Sequence, residues 1–101
     1  MKGKKYKIKE KVWLWPSETA VWHFVYVSKK QSEDIRKKYN RSKRGFGSLP
    51  VEATIGKTKW KTSIFPQKKE GTYILPLKLD VRRKEEIAEG DVITYMIEIM
   101  V

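Results

Sequence analysis

The stretch from residue 51 to residue 62 reads Val51-Glu52-Ala53-Thr54-Ile55-Gly56-Lys57-Thr58-Lys59-Trp60-Lys61-Thr62. Two runs rich in β-forming residues flank Gly56-Lys57, and a type II′ turn requires glycine at its first central position. The register set by that turn pairs Ala53 with Trp60 and, on the other face, Glu52 with Lys61. A small residue then lies opposite a large one and an acid opposite a base, so independent features predict the same hairpin.

A second alternating pattern precedes the hairpin and predicts a strand over residues 5–15. Its even positions are mostly apolar and form the buried face. Its odd positions begin with a lysine row, defined here as Lys5, Lys7, Lys9 and Lys11. Trp13 and Trp15 continue on the face of the lysine row. After a turn at residues 16–19, residues 20–27 are apolar on both faces, which is typical of a central strand. We assign both Trp22 and Trp60 to the core.

A helix is predicted over residues 29–39, between the second strand and the hairpin. Ser28 and Gln31 have the spacing of a capping box, in which each side chain satisfies a free backbone amide. Ser32 is a competing start, because two acidic residues follow it. Ile35 and Tyr39 are the narrow apolar stripe of this helix, whose outer face is basic.

The chain after the hairpin predicts two strands and a short helix. Residues 72–79 alternate, with Tyr73, Leu75, Leu77 and Leu79 on one face. Asp80 is placed to cap a helix over residues 81–88 that ends at Gly90. Residues 92–101 alternate again and form the last strand.

The predicted element order is β-β-α-β-β-β-α-β. About six strands and two short helices within 101 residues indicate a mainly β fold. We expect one domain over residues 1–101, a small β-barrel capped by the two helices. An OB-fold is the alternative, but it would need three strands before its main helix.

The formal net charge of +11 is concentrated in three segments. Residues 1–11 carry a net charge of +5, residues 29–44 carry +6, and residues 57–69 carry +5, whereas residues 70–101 carry −3. Positive charge confined to segments favours an anionic partner, nucleic acid above all, if the segments share one surface.

Composition excludes several kinds of site. The absence of cysteine excludes disulfides, thiolate metal sites and cysteine nucleophiles, and a single histidine excludes a His-rich metal site. We therefore expect no metal and no cofactor. The lack of cysteine also favours a reducing, cytoplasmic compartment. No apolar run approaches the roughly 20 residues of a membrane span, so we expect no membrane partner. As a separate expectation, we favour a monomer.

A series of short motifs runs through the chain in a fixed order. The motifs are Trp22-His23-Phe24-Val25, Lys43-Arg44-Gly45-Phe46-Gly47-Ser48, Pro50-Val51, Thr62-Ser63-Ile64-Phe65-Pro66, Tyr73-Ile74-Leu75-Pro76-Leu77-Lys78 and Gly90-Asp91. Together they resemble the family known as domain of unknown function 1905. The resemblance implies a single-domain barrel of the double-split type, similar to that of swapped-hairpin transition-state regulators and antitoxins. It implies no established activity, and similarity of fold to DNA-binding proteins is analogy only.

The loop over residues 41–48 is the strongest candidate site. Its glycines allow backbone amides to converge on an anion, and a ring between two glycines can stack on a base. The residues concerned are Arg41, Lys43, Arg44, Gly45, Phe46 and Gly47. The alternative is a tight turn in which the glycines adopt positive φ and Phe46 plugs the barrel end. We prefer the tight turn, because the spacing matches no established phosphate motif.

Two interpretations of the lysine row are equally supported. In the first, the lysine row binds the phosphates of a single-stranded nucleic acid, and Trp13 and Trp15 stack on its bases. Lysines on an edge strand also prevent pairing with other chains. No catalytic set is evident, because Thr62 and Ser63 have only His23 as a base, on a different strand. We expect His23 to pack in the interior with a satisfied ring.

The sequence therefore favours a non-catalytic module over an enzyme. The first hypothesis is binding of an anionic partner, above all nucleic acid, through the lysine row, the basic helix and the loop over residues 41–48. The alternative is a barrel that binds a small anionic ligand or a protein partner. In that case the Gly-Phe-Gly loop, Thr62, Lys78 and Arg82 would converge at one end of the barrel.

Overall fold

The hairpin at residues 51–62 is present in the computed structural model, which describes residues 4–16, 21–39, 47–67 and 69–100. Ala53 lies opposite Trp60, and Glu52 lies opposite Lys61, as predicted. Gly56 has a φ of +56°. Among the described residues other than glycine, only Glu86 has a positive φ, so Lys57 keeps a negative one. A positive φ followed by a negative φ is the pattern of the predicted type II′ turn.

The fold is mainly β, as predicted, with seven antiparallel strands and two short helices in the described residues. The strands and helices follow one another along the chain as β1 (Lys5–Lys11), β2 (Trp13–Pro16), β3 (Val21–Tyr26), α1 (Lys29–Tyr39), β4 (Leu49–Ile55), β5 (Thr58–Gln67), β6 (Thr72–Pro76), α2 (Leu79–Lys84) and β7 (Val92–Ile99).

The sheet order is β1-β7-β4-β5-β6-β3-β2. Its first and last strands are neighbours in the chain, separated only by Val12, so the sheet curls into a half-barrel. The long strand β5 belongs to two halves. Its residues 58–64 pair with β4, and its residues 65–67 pair with β6. We call β1, β7, β4 and residues 58–64 the A half, and residues 65–67, β6, β3 and β2 the B half. This order is not that of the five-stranded OB-fold.

The strand predicted over residues 5–15 is divided at Val12, which makes seven strands instead of about six. The Val12 N–H donates to the Asp91 carbonyl at 2.8 Å, and the Val12 carbonyl accepts from the Gly90 N–H at 2.9 Å. Because the backbone at this point bonds to a turn rather than to a strand, the chain leaves its pairing with β7 and continues beside β3. Val12 itself is buried at the bend.

The core lies on the concave face of the curled sheet. Trp60 is buried with 8% of its surface exposed, and small Ala53 leaves room for it on the neighbouring strand. α1 buries Ile35 and α2 buries Val81 against this core, which explains why each short helix is held in place. The fully buried larger side chains are Tyr73, Tyr95, Ile35, Leu49, Ile64, Leu75, Ile97, Ile99, Val12, Val25, Val27 and Val51.

α1 begins at the predicted residue, but its capping box is only half formed. The Gln31 N–H donates to Ser28 Oγ at 3.3 Å, which is the predicted cap. The Gln31 side chain does not return to a free amide of the helix. Instead its Oε1 accepts from Ser28 Oγ at 2.6 Å, and its Nε2 donates to the Lys7 carbonyl at 3.0 Å. Gln31 therefore ties α1 to the edge strand β1.

Ser32 is not a helix start. It lies inside α1, where its N–H donates to the Ser28 carbonyl at 2.8 Å. Its hydroxyl is fully buried, donates to the Val27 carbonyl at 3.2 Å and accepts from the Tyr73 N–H at 3.0 Å. One side chain therefore connects the end of β3, the helix and β6.

The segment after β6 differs from the prediction. The last ladder-type bond of this segment joins the Leu77 N–H to the His23 carbonyl at 2.9 Å, and the chain turns into α2 directly afterwards. Leu79 is therefore the exposed first residue of the helix and not part of the buried face. Lys78 occupies the N-cap position without a side-chain bond, and Asp80 lies in the first turn. α2 also ends earlier than predicted, at Lys84.

Substitution of Gly56 by alanine is expected to lower the free energy of unfolding by about 1–3 kcal/mol, the usual cost of a strained backbone position. A Cβ at Gly56 would run into the carboxylate of Glu85. That carboxylate accepts a bond from the Thr58 hydroxyl at 2.6 Å, so moving aside would cost this bond. Urea denaturation measures the change. The control is Lys57→Ala at the exposed neighbouring position, whose free energy of unfolding should stay within about 0.5 kcal/mol of that of the parent. Equal stability of the two variants would contradict the strained turn.

Candidate functional site

The lysine row lies on the outer face of β1. All four of its side chains are exposed, whereas Tyr6 and Ile8 between them are buried. This alternation follows from the pairing of β1 with β7, which turns every second side chain towards the core. The predicted faces of residues 5–11 are confirmed.

α1 lies beside the lysine row and forms a groove with it. The groove has a volume of about 520 Å³ and is lined by Lys4, Lys5, Tyr6, Lys7, Lys30, Gln31, Glu33, Asp34 and Lys37. Five of these nine residues are lysines, drawn from the first and second basic segments. The helix and the strand therefore bring two separate sources of positive charge to one place.

Asp34 is the anchor between α1 and the start of β1. Its Oδ2 accepts from the Tyr6 hydroxyl at 2.5 Å and lies 3.3 Å from Lys4 Nζ and 3.6 Å from Lys38 Nζ. The Tyr6 hydrogen bond, and then the neighbouring lysines, hold the pKa of Asp34 below its ordinary value. Asp34 thus offsets the charge of Lys4 and Lys38. Within the described ranges, Lys5, Lys7, Lys30 and Lys37 form no ion pair.

The outer face of the A half carries lysines at both sides. Along one row of the sheet, Lys7 is followed by Met96, Thr54 and Lys59. Along the next row, Lys5 and Lys61 enclose Glu98 and Glu52. Lys59 Nζ lies 4.0 Å from Glu52 Oε1 across the hairpin, so the carboxylates form a narrow strip between two basic borders. The third basic segment thus shares a face with the first.

The outer face of the B half is aromatic. Trp13 stacks on Tyr26 at a centroid distance of 5.0 Å, and it lies 5.1 Å from Phe24 and 6.2 Å from Trp15. Trp13 and Trp15 keep the outward direction of the lysine row, as the alternation predicts. Because the chain bends at Val12, however, they belong to the other half of the sheet. Phe24 and Tyr26, which pack on Trp13, come from β3, and the alternation of residues 5–15 alone could not reveal this.

Trp22 is not in the core. It is 54% exposed, lies opposite Trp15 on the neighbouring strand, and faces outward, whereas Trp60 is buried as predicted. β3 is apolar on both faces, so its sequence pattern could not indicate which face is buried. An exposed apolar surface of this kind marks a binding site more often than an isolated exposed side chain does.

A second groove lies on the outer face of the B half, and we call it the aromatic groove. It has a volume of about 560 Å³ and is lined by Trp22, Phe24, Lys61, Thr62, Ser63, Phe65, Ile74 and Pro76. Phe65 is 39% exposed. Thr62 and Ser63 are both half-buried, and both line this groove.

The loop over residues 41–48, the candidate anion site for which we preferred a tight turn, lies largely outside the described residues. Arg41, Lys43, Arg44, Gly45 and Phe46 belong to that part of the chain, and their roles stay predictions. Gly47 is described and has a φ of +87°. Glycine is the residue that adopts this conformation without strain, as expected for a turn that leads into β4.

The residues of the alternative anion site lie in different surroundings. Thr62 lines the aromatic groove. Lys78 is an exposed residue at the start of α2, and Arg82 Nε donates to the Leu77 carbonyl at 3.0 Å. This hydrogen bond ties the guanidinium to the backbone just before α2. Glu85 accepts its bond from Thr58 and, among the described residues, forms no ion pair with Arg82 or Arg83.

His23 is half-buried, and its ring is not satisfied as predicted. Its Nδ1 is buried and has no hydrogen-bond partner in the described part of the chain. Burial, and then the charge of Arg82, lower the pKa of His23 below its ordinary value. The backbone carbonyl of His23 accepts a hydrogen bond from the Leu77 N–H at 2.9 Å.

Two kinds of feature are absent from the described residues. Residues 4–16, 21–39, 47–67 and 69–100 contain no group of three or more histidines, cysteines and carboxylates that could hold a metal ion. Neither described helix has the length and apolar character needed to cross a membrane.

Comparison with known proteins agrees with the series of motifs in the sequence. No curated protein matches the chain. A family model described as Domain of unknown function (DUF1905) matches residues 9–97. The match includes Lys9 and Lys11 and the whole aromatic groove, while Lys5 and Lys7 precede it. With this match over most of its 101 residues, the chain belongs to the DUF1905 family.

Proposed function

We propose that this protein is a non-catalytic module that binds nucleic acid through its basic surface. The basic surface comprises Lys5, Lys7, Lys9, Lys11, Lys30, Lys37, Lys59 and Lys61. The observation that carries the proposal is the position of the lysine row, with the lysines of α1 on one side and those of β5 on the other. Lysines of the first and second basic segments thereby line one groove, and those of the third segment lie on the same sheet face beyond the strip of Glu52 and Glu98.

The charge of this surface suits a polyanion better than a single small anion. Lysines at alternate positions of a strand are about 6.5–7 Å apart, since each residue rises 3.2–3.4 Å. Several phosphates can then be contacted at once. Each phosphate contact releases condensed counterions, and this release is the main source of sequence-independent affinity.

The groove between α1 and β1 supports the same conclusion. Asp34 is already engaged by Tyr6, Lys4 and Lys38, which leaves Lys5, Lys7, Lys30 and Lys37 without a carboxylate within ion-pair distance in the described ranges. A lysine that has no internal ion pair loses no ion pair when it binds a phosphate. The exposed rings of the B half add an aromatic surface to this charge, a combination typical of nucleic-acid binding.

A salt titration tests the proposal. Binding of a labelled oligonucleotide is followed by fluorescence anisotropy. The logarithm of the binding constant is expected to fall linearly with the logarithm of the salt concentration, with a slope that reflects the number of phosphates contacted. Lys5→Ala with Lys7→Ala should weaken binding at every sequence and reduce the slope by about one for each phosphate that is no longer neutralised. Absence of binding at low salt would overturn the proposal.

A matched pair of substitutions controls for net charge. Arg83→Ala with Lys84→Ala removes the same two charges from α2, which lies outside the basic surface. We expect this variant to keep nearly the parental slope. If both double variants weaken binding equally, the affinity depends on overall charge, and the basic surface is not the binding site.

A further inference from the structure

We infer that the aromatic groove holds unpaired bases, so that the ligand is a single-stranded nucleic acid. This inference rests on the proposed function, because the basic surface would hold the phosphates. It assigns a separate task to the outer face of the B half, whose rings take no part in binding the phosphates.

The rings of the groove are available for stacking. Trp22 and Phe65 are 54% and 39% exposed, and both line the groove together with half-buried Phe24. A tryptophan exposed to this extent leaves apolar surface in water, a cost that stacking on a ligand would relieve. Every base has a π-face, so aromatic rings hold single strands with little sequence preference.

The groove is continuous with the basic surface along β5. The outward positions of this strand are, in order, Lys59, Lys61, Ser63 and Phe65. Within seven residues, the outer face of the strand therefore changes from two charged side chains to a hydroxyl and then to an aromatic ring. Lys61 belongs to both surfaces, since it also lines the aromatic groove. A strand whose phosphates lie on the lysines would thus present its bases to Phe65 and Trp22.

This arrangement discriminates against a duplex. In a duplex the base faces are stacked on one another and cannot reach rings on a protein surface, whereas an unpaired strand presents them freely. The polar lining of Lys61, Thr62 and Ser63 supplies donors for phosphate and base edges beside the rings. Charge complementarity therefore favours a nucleic acid over an apolar peptide as the occupant.

The experiment compares three labelled probes of equal length: a single-stranded oligonucleotide, the corresponding duplex, and an abasic single strand with the same phosphates. The parent should bind the single strand more tightly than the abasic strand by about tenfold or more, as one to two stacked bases would produce. Trp22→Ala and Phe65→Ala should each remove most of this difference. Neither should change the salt slope, since every lysine that faces a phosphate is retained.

Val21→Ala is the matched control. Val21 is the neighbour of Trp22 on β3 and is 51% exposed, but it does not line the groove. It should leave all three affinities at the parental level. Equal affinities for the single strand and the abasic strand, or a Trp22→Ala variant that binds every probe like the parent, would overturn the inference. Either result, which would also follow if the groove bound a protein partner, would leave the salt-dependent binding of nucleic acid to the basic surface intact. Loss of binding to all three probes at low salt would instead overturn the proposed function itself.

Discussion

Replacement of Trp60 by alanine is expected to lower the free energy of unfolding by about 3–5 kcal/mol, the range for removing a large buried aromatic side chain. Trp60 is 8% exposed and lies opposite Ala53, which is too small to fill the space left behind. The strands around it belong to the centre of the sheet, so the backbone cannot collapse into the cavity. Chemical denaturation followed by circular dichroism measures the loss.

Trp22→Ala is the control for the same chemical change at an exposed position. Because Trp22 is 54% exposed, we expect it to cost no more than about 1 kcal/mol, the scale of one cross-strand pair. The two variants therefore separate a core role from a surface role. A Trp22→Ala variant as unstable as Trp60→Ala would show that the aromatic face is part of the core and would remove the basis of the aromatic groove.

Replacement of Ser32 by alanine is expected to lower the free energy of unfolding by about 2–6 kcal/mol, because it leaves two buried backbone groups without partners at roughly 1–3 kcal/mol each. The Val27 carbonyl would lose its donor and the Tyr73 N–H its acceptor. Alanine is small enough to fit, so the loss reports hydrogen bonding and not steric conflict. Amide hydrogen exchange at Tyr73 should accelerate together with the loss of stability.

Ser28→Ala removes the hydroxyl that caps the same helix and is the control. A helix cap is worth about 1 kcal/mol, less than two buried bonds. We therefore expect Ser28→Ala to be the milder variant and to leave exchange at Tyr73 little changed. If Ser32→Ala is no more destabilising than Ser28→Ala, the proposed bridge between β3, α1 and β6 is wrong.

The elements predicted best are those held by local forces. The register of the β4–β5 hairpin depends on a two-residue turn and on pairs of side chains within twelve residues. α1 begins where Ser28 caps it, and its apolar stripe is short enough to read directly. The alternation of residues 5–11 correctly indicated the exposed lysine row. Local patterns suffice here because the partner groups are near in sequence.

Elements that depend on distant partners were predicted less well. The bend at Val12 arises from bonds to Gly90 and Asp91, far along the chain. The start of α2 depends on where β6 stops pairing with β3, and the role of Ser32 depends on Tyr73. No pattern within residues 5–15 or 72–81 contains this information, since hydrogen-bond partners remote in sequence leave no local periodicity.

The candidate site divides in the same way. The three basic segments and the outward direction of the lysine row were evident from the sequence. The aromatic groove was not, because its rings come from two different strands, β3 and β5, and because β3 is apolar on both faces, so its pattern did not indicate that Trp22 faces outward. The continuation of the lysine row into Trp13 and Trp15 was the one signal in the sequence that pointed to an outward aromatic face.

By itself, the sequence determined a mainly β chain, the register of its central hairpin, and the concentration of positive charge in three segments. Each of these depends on turn geometry, alternation or composition, which act over a few residues. Only the tertiary structure decided that the lysines of α1 lie beside those of β1, that the lysines of β5 share the outer face of β1, and that the aromatic rings form a separate surface. The physical reason is that the curl of the sheet and the pairing of distant strands determine which outward side chains meet, and these depend on the packing of the whole core.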